Sequence, residues 1–600
     1  MVMHGRLVKY RAACVSVVLL HLGLMAWSSS RHSPTWDEVG HLPAGISHWT
    51  LGRFDLYRVN PPLVRMIAAL PVLLAHPQTD WTHPDKQPGD RWEFQPVGVR
   101  FLAQNSSRIF ELFTVARWAC LPFSLVGAVV CYAWARELHG SFAGLLALLL
   151  WCTCPNILGH GQLLTPDVGA TALGAGAAYL FWRWLRVPTW PRACLAGMTL
   201  GLAELAKTTW ILSFFLWPVL WLAWNWPERQ FLSWRQWRIL ATQLAFVGVL
   251  AVYVVNLLYG FEGSFERLGN YEFVSEALSG RAQSLVDTPA SGNRFRGSWL
   301  ANLPIPFPSN YILGIDAQKS DFERGMWSTL RGEWRHGGWW YYYLYGLAIK
   351  VPLGTWLLVL LATVASVCCN GYSVSWRDRL CVLAPPFLVL ALVSSQTGFS
   401  HHLRYVLPVL PFMFVWASTV AAATVREHAV FRFLTLGAVI WSMTSSLSVY
   451  PHSLSYFNEL AGGPVGGPAH LGSSNADWGQ DLLYLKRWLD KHPDAQPFYL
   501  AWDVYVVDPR LAGIEAAEPP PGPSPSLTNR VVPPEKMGPL PGWHAVSVNR
   551  LRSRTEEYAY FLRLKPTDMV GYSIYIYHVT PDEANRVRRE YGLPGAPSSG

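Results

Sequence analysis

The stretch that decides the fold of this chain reads Trp36-Asp37-Glu38-Val39-Gly40-His41, continues through Leu51-Gly52-Arg53-Phe54-Asp55, and closes on Asn60-Pro61-Pro62-Leu63. It follows directly on an apolar segment from Ala12 to Ser29. Two adjacent carboxylates therefore stand where the chain leaves a bilayer. Ionisable groups at a membrane boundary are costly to desolvate, which makes them candidates for function. The alternative is a solvated loop whose acidic residues cap a helix.

Composition supports the membrane interpretation. Of the 600 residues, 51% are hydrophobic and 14% are charged, whereas an average globular protein carries about 25% charged residues. The 31 Trp and 25 Tyr are typical of aromatic belts at membrane interfaces. The net charge of +9 fits arginines in cytoplasmic loops, and the sequence has no nucleic-acid-binding motif. The chain is therefore predicted to be an α-helical polytopic membrane protein.

Windows of about 20 apolar residues predict about eleven spans. After Ala12–Ser29 they are Thr114–Ala135, Ala143–Ile157, Asp167–Leu185, Ala193–Ala206, Trp210–Trp224, Ile239–Tyr259, Tyr341–Cys368, Leu380–Ser395, Leu403–Ala423 and Phe433–Val449. The nine cysteines fall in or beside these segments, so no disulfide framework is expected outside the membrane.

Arginines predict the orientation of the spans. Arg6, Lys9 and Arg11 precede the first span, which reads as an uncleaved signal anchor with its N-terminus in the cytoplasm. The alternate loops that follow contain Arg136, Arg183, Arg186, Arg192, Arg229, Arg235, Arg238, Arg377, Arg379, Arg426 and Arg432. An odd number of spans then places the C-terminus outside.

This topology divides the chain in two. Residues 1–450 form the predicted transmembrane domain, with a first outer loop at 30–112 and a large outer loop at 261–340. Residues 451–600 form a predicted extracytoplasmic α+β domain. Its strands are expected at Phe498–Val507, Trp543–Asn549 and Tyr572–His578, and a helix at Leu482–Lys491.

Several polar residues fall on the predicted outer face, where they can share one site. They are Asp37, Glu38, His160, Asp167, Lys207, Arg404 and Tyr405. A lipid-phosphate leaving group needs cations beside it, and an acceptor hydroxyl needs a carboxylate base. Each residue also has a plainer interpretation: Asp167 as a helix cap, Lys207 as an interface lysine and Arg404 as an interface anchor. The sequence contains no Walker loop and no dinucleotide-binding glycine fingerprint.

This ordered set resembles the GT-C superfamily of membrane glycosyltransferases, in particular the protein O-mannosyltransferase-like and aminoarabinose-transferase-like enzymes of bacteria. The resemblance runs from Trp36-Asp37-Glu38 through Pro61-Pro62-Leu63, His160, Asp167 and Lys207 to Arg404-Tyr405-x-x-Pro408, over most of the membrane part. It implies a GT-C-like fold, a polyprenyl-phosphate-linked sugar donor, a hydroxyl acceptor, and an active site on the outer side of the inner (plasma) membrane. It also implies Asp37 as the base or acceptor-positioning residue.

The chain departs from the aminoarabinose transferases at one position. Those enzymes have a lysine directly before Pro-Pro-Leu, whereas this chain has Asn60. Arg58 or Arg65 is a candidate replacement.

The start of the tail is similar to uncharacterised bacterial members of the same group. The similarity lies in Tyr450–Glu459, Gly462-Gly463-Pro464 and Asp477–Leu482. Asp477 and Asp481 are four residues apart, so they either share a helix face or charge a helix start.

The sequence therefore predicts an inverting glycosyltransferase with Asp37 and Glu38 as catalytic residues. The predicted substrate-binding residues are Asp167, His160, Lys207, Arg404, Tyr405 and Arg58. A hexose is the expected sugar, with mannose one candidate, and the acceptor is a protein, lipid or glycan. The alternatives are an O-antigen ligase or polymerase and a transporter or flippase. The sequence identifies no definite cofactor and leaves a divalent metal open, since Asp37, Glu38, His41, His160 and His402 offer mixed oxygen and nitrogen ligands.

Overall fold

The computed structural model describes residues 2–82, 94–281, 291–368, 374–424, 429–524 and 532–596. This part of the chain is mostly helical, with a two-stranded hairpin in the large loop and a four-stranded sheet near the C-terminus. Two residues of the sequence analysis lie outside the described residues: Arg426, predicted in a cytoplasmic loop, and Cys369, one of the nine cysteines in or beside apolar segments.

The helices before residue 450 include the membrane part and the loops between its spans. They are α1 (Val2–Ser29), α2 (Glu38–Leu51), α3 (Leu63–Leu74), α4 (Gln95–Gln104), α5 (Ile109–His139), α6 (Ser141–Thr153), α7 (Pro155–Gly161), α8 (Pro166–Arg186), α9 (Trp190–Ala206), α10 (Ser213–Asn225), α11 (Trp234–Leu258), α12 (Glu276–Ser279), α13 (Ser309–Arg324), α14 (Tyr342–Lys350), α15 (Leu353–Cys368), α16 (Trp376–Ser395), α17 (Leu410–Ala417), α18 (Thr419–Thr424) and α19 (Ala429–Leu447).

Within the described residues, six helices are long and apolar enough to cross a membrane, and two bent helix pairs raise the number to eight. The expected number of eleven is therefore not confirmed. Two predicted spans, at Ala193–Ala206 and Trp210–Trp224, are not among these helices because the helices there are short. α9 has 17 residues and α10 has 13, whereas a straight span needs about 20.

Both bent pairs are interrupted at a proline. The predicted span at Tyr341–Cys368 consists of α14 and α15, which meet at an angle of 107° around Pro352. The predicted span at Ala143–Ile157 consists of α6 and α7, bent by 55° where Pro155 begins α7. Proline cannot donate the backbone hydrogen bond that would continue the preceding helix, so the direction of the chain changes there.

Small residues let the helices of the membrane part approach closely. A side-chain carbon at Gly197 of α9 would lie 2.8 Å from the carbonyl oxygen of Val247 in α11, and one at Gly201 would lie 2.8 Å from that of Ala251. Glycine at these positions brings the two backbones together, as is common between helices in membranes. This contact helps to fix the end of α9, where Lys207 follows.

After residue 450 the chain forms short helices and a mixed sheet. The helices are α20 (Gly463–Gly466), α21 (Leu482–Lys491), α22 (Val548–Leu551) and α23 (Pro581–Glu590). The hairpin strands are β1 (Trp327–Leu330) and β2 (Glu333–His336), and the sheet strands are β3 (Phe498–Ala501), β4 (Gly542–Ser547), β5 (Asp568–Val570) and β6 (Ile574–Val579). The sheet order is β3-β4-β6-β5, with β3 parallel to β4 and the other neighbours antiparallel.

Alternation along β4 and β6 buries both faces of this sheet. Ala545 and Ile576 belong to the same apolar cluster as Leu485 of α21. Val546 belongs to a second cluster, with Val587 of α23. Because successive side chains in a strand point to opposite faces, the sheet lies between the two helices. The predicted α+β character of the C-terminal segment is confirmed.

Candidate active site

A cavity of about 250 Å³ lies where the helices of the membrane part meet the C-terminal segment. Residues from α13 in the large loop complete its wall. Its charged lining residues are Asp37, Asp167, Lys207, Asp321, Arg404, Asp477 and Asp503. Segments that are hundreds of residues apart in the sequence therefore meet at one polar site.

Asp37 immediately precedes α2 and lies in the cavity wall. Its Oδ2 accepts a hydrogen bond from Nη2 of Arg404 at 2.8 Å, and its side chain is 19% exposed. Burial raises the pKa of Asp37, Asp167 raises it further, and Arg404 opposes the rise. The carboxylate is therefore paired, partly accessible, and more basic than an ordinary aspartate.

Asp167 and Lys207 form a buried ion pair at the ends of two neighbouring helices. Asp167 is in the first turn of α8, Lys207 directly follows α9, and Lys207 Nζ is 2.7 Å from Asp167 Oδ1. Asp167 Oδ2 lies 3.9 Å from Nε of Arg404. The Asp167 carboxylate thus faces two cations, and Lys207 points into a buried cluster rather than along a membrane surface.

Arg404 lies at the centre of the cluster. Its guanidinium carbon lies 4.1 Å from the centre of the Trp478 ring, and its Nη1 is buried without a hydrogen-bond partner among the described residues. The ring of its neighbour Tyr405 lies 4.7 Å from Nζ of Lys207. Arg404 therefore contacts two carboxylates and an aromatic ring and still has one donor nitrogen unused.

The C-terminal segment positions the chain around Arg404. Asn475 accepts a hydrogen bond from the backbone N–H of Leu403 at 2.9 Å and donates to the carbonyl of His401 at 2.8 Å. Ser474 Oγ lies 2.6 Å from Nδ1 of His402. These contacts fix the 3₁₀ turn that begins at Leu403, and with it the direction of the guanidinium.

Glu38 faces away from the cavity and is fully buried. Nε and Nη2 of Arg117 in α5 donate to its two oxygens at 2.8 and 2.6 Å. The carboxylate also accepts from Thr35, through its N–H and Oγ1, and from the backbone N–H of Leu164. All these bonds are internal to the protein, so the two neighbouring carboxylates have different surroundings.

The other predicted ligands lie at the edge of the site or outside it. His160 is buried, and the centre of its ring lies 6.2 Å from the centre of the Trp478 ring. Nε of Arg58 donates to Asn310 of α13 at 2.8 Å, and Nη1 of Arg65 donates to the Tyr57 carbonyl at 2.8 Å. The structure therefore brings Asp37, Asp167, Lys207, Arg404 and Tyr405 together in the cavity wall, but places Glu38, His160 and Arg58 outside it.

The opposite wall contains residues that the sequence analysis did not assign to the site. Asp503 accepts a hydrogen bond from Asn549 at 2.9 Å, and both line the cavity with Asp477. Burial, with Asp503 nearby, raises the pKa of Asp477 to about 7. The sequence analysis considered Asp477 as sharing a helix face with Asp481 or as a charge at a helix start. No local pattern marks Asp503 or Asn549, because they reach the cavity only through the folding of the sheet.

A second cavity of about 240 Å³ adjoins the first. The two share Lys207, Gln318, Phe322 and Tyr405. The remaining wall is largely apolar and includes Ile211, Ile315, Leu392 and Val393. The second cavity also has Thr208, Thr209, Lys319 and Gln396 in its wall, so it is a mainly apolar space with polar groups that opens beside the charged cavity.

Comparison with known proteins agrees with the resemblance drawn from the sequence. Residues 95–258 match the family described as dolichyl-phosphate-mannose-protein mannosyltransferase. This match confirms the resemblance to GT-C membrane glycosyltransferases over the residues that it covers. No curated protein sequence matches the chain significantly.

Two solved structures are similar to this chain along nearly its whole length. One is ArnT from Cupriavidus metallidurans bound to undecaprenyl phosphate, at 13% identity and a TM-score of 0.42, covering 95% of this chain and 97% of that one. The other is the same protein in its apo state, at 13% identity and a TM-score of 0.38, covering 96% and 98%.

Proposed function

We propose that this protein transfers a hexose from a polyprenyl-phosphate carrier to a hydroxyl group of an acceptor. The observation that carries the proposal is a carboxylate, Asp37, held in one accessible cavity beside Arg404 and near Lys207. The matched family description names a lipid-phosphate-linked sugar as donor, which supports the same chemistry.

The proposed reaction is a single displacement at the anomeric carbon. Asp37 takes the proton of the acceptor hydroxyl while that oxygen forms the new bond to the sugar. The bond between the anomeric carbon and the phosphate oxygen breaks, and its electron pair leaves with the lipid phosphate. Attack on the face opposite the phosphate inverts the configuration of the sugar.

The charge of the cluster suits this step. Asp37 and Asp167 offset Arg404 and Lys207 before reaction. When Asp37 takes up a proton, the four side chains gain one positive charge as the departing phosphate gains one negative charge. We assign Arg404 Nη1, which has no hydrogen-bond partner among the described residues, to a phosphate oxygen of the donor. Fixed donors of this kind stabilise developing charge without reorganisation.

The second cavity is the proposed entry of the carrier lipid. Its apolar wall suits a prenyl chain, and the shared Lys207 and Tyr405 mark the place where the phosphate would enter the polar cavity. We place the polar cavity on the outer side of the plasma membrane, because the arginine-bearing loops favour a cytoplasmic location for the other end of the helices.

The test is sugar transfer by the purified protein in detergent. The donors are polyprenyl-phosphate hexoses, mannose first, and the acceptors are envelope extracts of a strain lacking the gene. We expect free polyprenyl phosphate and a glycosylated acceptor, both detected by mass spectrometry. Asp37→Asn keeps the shape of the side chain but removes the base, so it should lower the rate by about 10²–10⁴.

Asp55→Asn is the matched control, because Asp55 lies in the same loop and pairs with Arg53 outside the cavity. It should transfer sugar at the wild-type rate. A donor that is carried across vesicle membranes but stays chemically intact would contradict the proposal and identify a transporter. Use of diphosphate-linked oligosaccharides alone would identify a ligase or polymerase.

A further inference from the structure

Three potential metal ligands meet outside the cavity wall. His32 follows α1, His452 follows α19, and Asp481 directly precedes α21. Nε2 of His32 lies 3.6 Å from Oδ1 of Asp481, and Nδ1 of His452 lies 2.9 Å from the same oxygen. One potential ligand atom from each of the three side chains lies within 4.8 Å of the other two. Among the described residues, no other group of three or more His, Cys, Asp or Glu side chains converges in this way.

The orientation of His32 leaves one nitrogen directed at the cluster. Its Nδ1 lies 2.9 Å from the carbonyl oxygen of Ser28, which can only accept, so Nδ1 carries the hydrogen. Its Nε2 is buried without a hydrogen-bond partner among the described residues. A histidine whose other ring nitrogen is held by a backbone carbonyl is the usual arrangement of a metal ligand.

Asp481 is held in the same way on its far side. Its Oδ2 accepts from Oγ of Ser573 at 2.7 Å and from Nε2 of Gln480 at 3.2 Å. Oδ1 therefore faces the two histidines. Two hydrogen bonds fix the distance between the segments. The backbone N–H of Ser33 donates to the Gln480 carbonyl at 3.0 Å, and the backbone N–H of Leu482 donates to Oγ of Ser33 at 3.0 Å.

We propose that His32, His452 and Asp481 bind a divalent first-row transition metal, with zinc as the fitting ion. Zinc binds imidazole nitrogen and carboxylate oxygen at about 2.0–2.2 Å, which separates ligand atoms by roughly 3.4 Å in a tetrahedral site. Nε2 of His32 lies close to this distance from Oδ1 of Asp481, at 3.6 Å. Nδ1 of His452 lies 2.9 Å from the same oxygen, so the His452 ring would have to move away from Asp481 by about half an ångström for metal binding. Two imidazoles favour zinc over magnesium or calcium, which prefer oxygen ligands.

His452 is the proposed ligand nearest the solvent, so water could reach a fourth coordination position on its side. The side chain of His452 is 16% exposed, whereas those of His32 and Asp481 are buried. Nearby Arg117 does not oppose the cation strongly, because Glu38 neutralises it. The metal would join the end of the first span to two parts of the C-terminal segment, so its binding would stabilise this junction.

The first measurement is the metal content of the full-length protein, purified without a histidine tag. We expect zinc in a one-to-one ratio, with loss in His452→Ala and Asp481→Asn. His578→Ala is the matched control, because His578 is an exposed histidine of the same segment, and it should keep its zinc. A chelator should lower the Tm of the wild-type protein, and Zn²⁺, but not Mg²⁺, should restore it.

A second measurement needs no variant. Co²⁺ added to the metal-free wild-type protein should give the visible absorption bands of a four-coordinate nitrogen and oxygen site. Absence of bound zinc, together with a Tm that Zn²⁺ does not change and a Co²⁺ spectrum like that of the aqueous ion, would overturn the proposal. The cluster would then be a hydrogen-bonded His–Asp pair. Asp37→Asn should keep its zinc, so this result is independent of the glycosyltransferase proposal.

Discussion

Arg404 donates a hydrogen bond to Asp37 and faces Asp167, and its Nη1 has no partner in the part of the chain that the structure describes. An arginine that served only as a membrane-interface anchor would direct its guanidinium toward lipid head groups. Here the guanidinium is instead buried against Trp478. At the scale of single residues this favours a role in binding an anion, because the planar fork of arginine matches phosphate geometry.

Loss of either cation should therefore impair donor use. Arg404→Ala and Lys207→Ala should each lower turnover by about 10²–10³, the usual cost of removing one fixed donor. Arg404→Lys should stay impaired, because an ammonium cannot contact Asp37 and a phosphate in the same fork. Arg53→Ala, an exposed arginine in the first loop, is the control. Wild-type kinetics with the polyprenyl-phosphate donor in both alanine variants would mean that the two cations are structural.

Asp477 should make stability depend on pH. Burial raises the pKa of this carboxyl to about 7 in the folded protein, against about 3.9 in an unfolded chain. The folded state therefore binds this proton more tightly than the unfolded chain does. The protonated Asp477 side chain stabilises the fold at low pH, and this contribution is lost as pH rises from about 4 to 7. The free energy of unfolding should fall by a few kcal/mol over this range, because each unit of pKa difference corresponds to about 1.4 kcal/mol.

The measurement is Tm against pH for the wild type and Asp477→Asn, which resembles the protonated acid. The gain of the variant over the wild type should grow from pH 5 to pH 8. Asp490→Asn, at an exposed position of α21, should show no such trend. A pH-independent difference between Asp477→Asn and the wild type would mean that Asp477 is ionised throughout this range.

At the scale of elements, the Glu38–Arg117 pair joins the loop after α1 to α5 and to the loop before α8. Nη1 of Arg117 donates to the carbonyls of Ser29 and His32 at 2.9 and 2.8 Å, and Glu38 accepts from Leu164. This buried network lies on the side of the chain away from the cavity and fixes the position of the backbone next to Asp37. The sequence analysis assigned both Asp37 and Glu38 to catalysis and could not identify Arg117 as the partner of Glu38, since the two residues are 79 positions apart.

Breaking this pair should cost stability. Arg117→Met leaves a buried, unpaired carboxylate, and such losses cost about 3–5 kcal/mol. The double variant with Glu38→Gln removes both charges and should recover part of that loss. Arg136→Met is the control, at an exposed position of the same helix. The measurement is thermal unfolding in detergent. Equal Tm values for the single and double variants would show that the charge of Glu38 does not matter.

Local patterns predicted local structure well. The helix expected at Leu482–Lys491 has those bounds in the structure, and three expected strands correspond to β3, β4 and β6. The bends at Pro155 and Pro352 were not predicted, because a hydropathy window depends on the composition of a segment and carries no information on the direction of the helix axis. Five of the predicted site residues do meet in the cavity wall, as the expectation of a shared membrane face requires. Asp503 and Asn549 could not be predicted, because their position depends on the folding of the C-terminal sheet.

At the scale of the whole molecule, the cavity and the arginine-bearing loop between α8 and α9 lie at opposite ends of these two helices. α8 begins with Asp167 in its first turn and ends at Arg186, 21 residues that span about 30 Å. α9 returns from Trp190 and ends beside Lys207. The hydrocarbon core of a bilayer is also about 30 Å thick. By the positive-inside rule, we expect the cavity to open on the outer side of the membrane.

Cysteine labelling in intact cells tests this orientation. Asp490→Cys, at an exposed position of α21, should react with a membrane-impermeant maleimide, because the C-terminal segment should share the outer side with the cavity. Arg136→Cys, exposed at the far end of α5, should react only after the membrane is permeabilised. The opposite pattern would place Asp37 in the cytoplasm. Since the cavity would then face cytosolic acceptors, the proposed acceptor in the cell envelope would be wrong even if purified protein still transferred sugar.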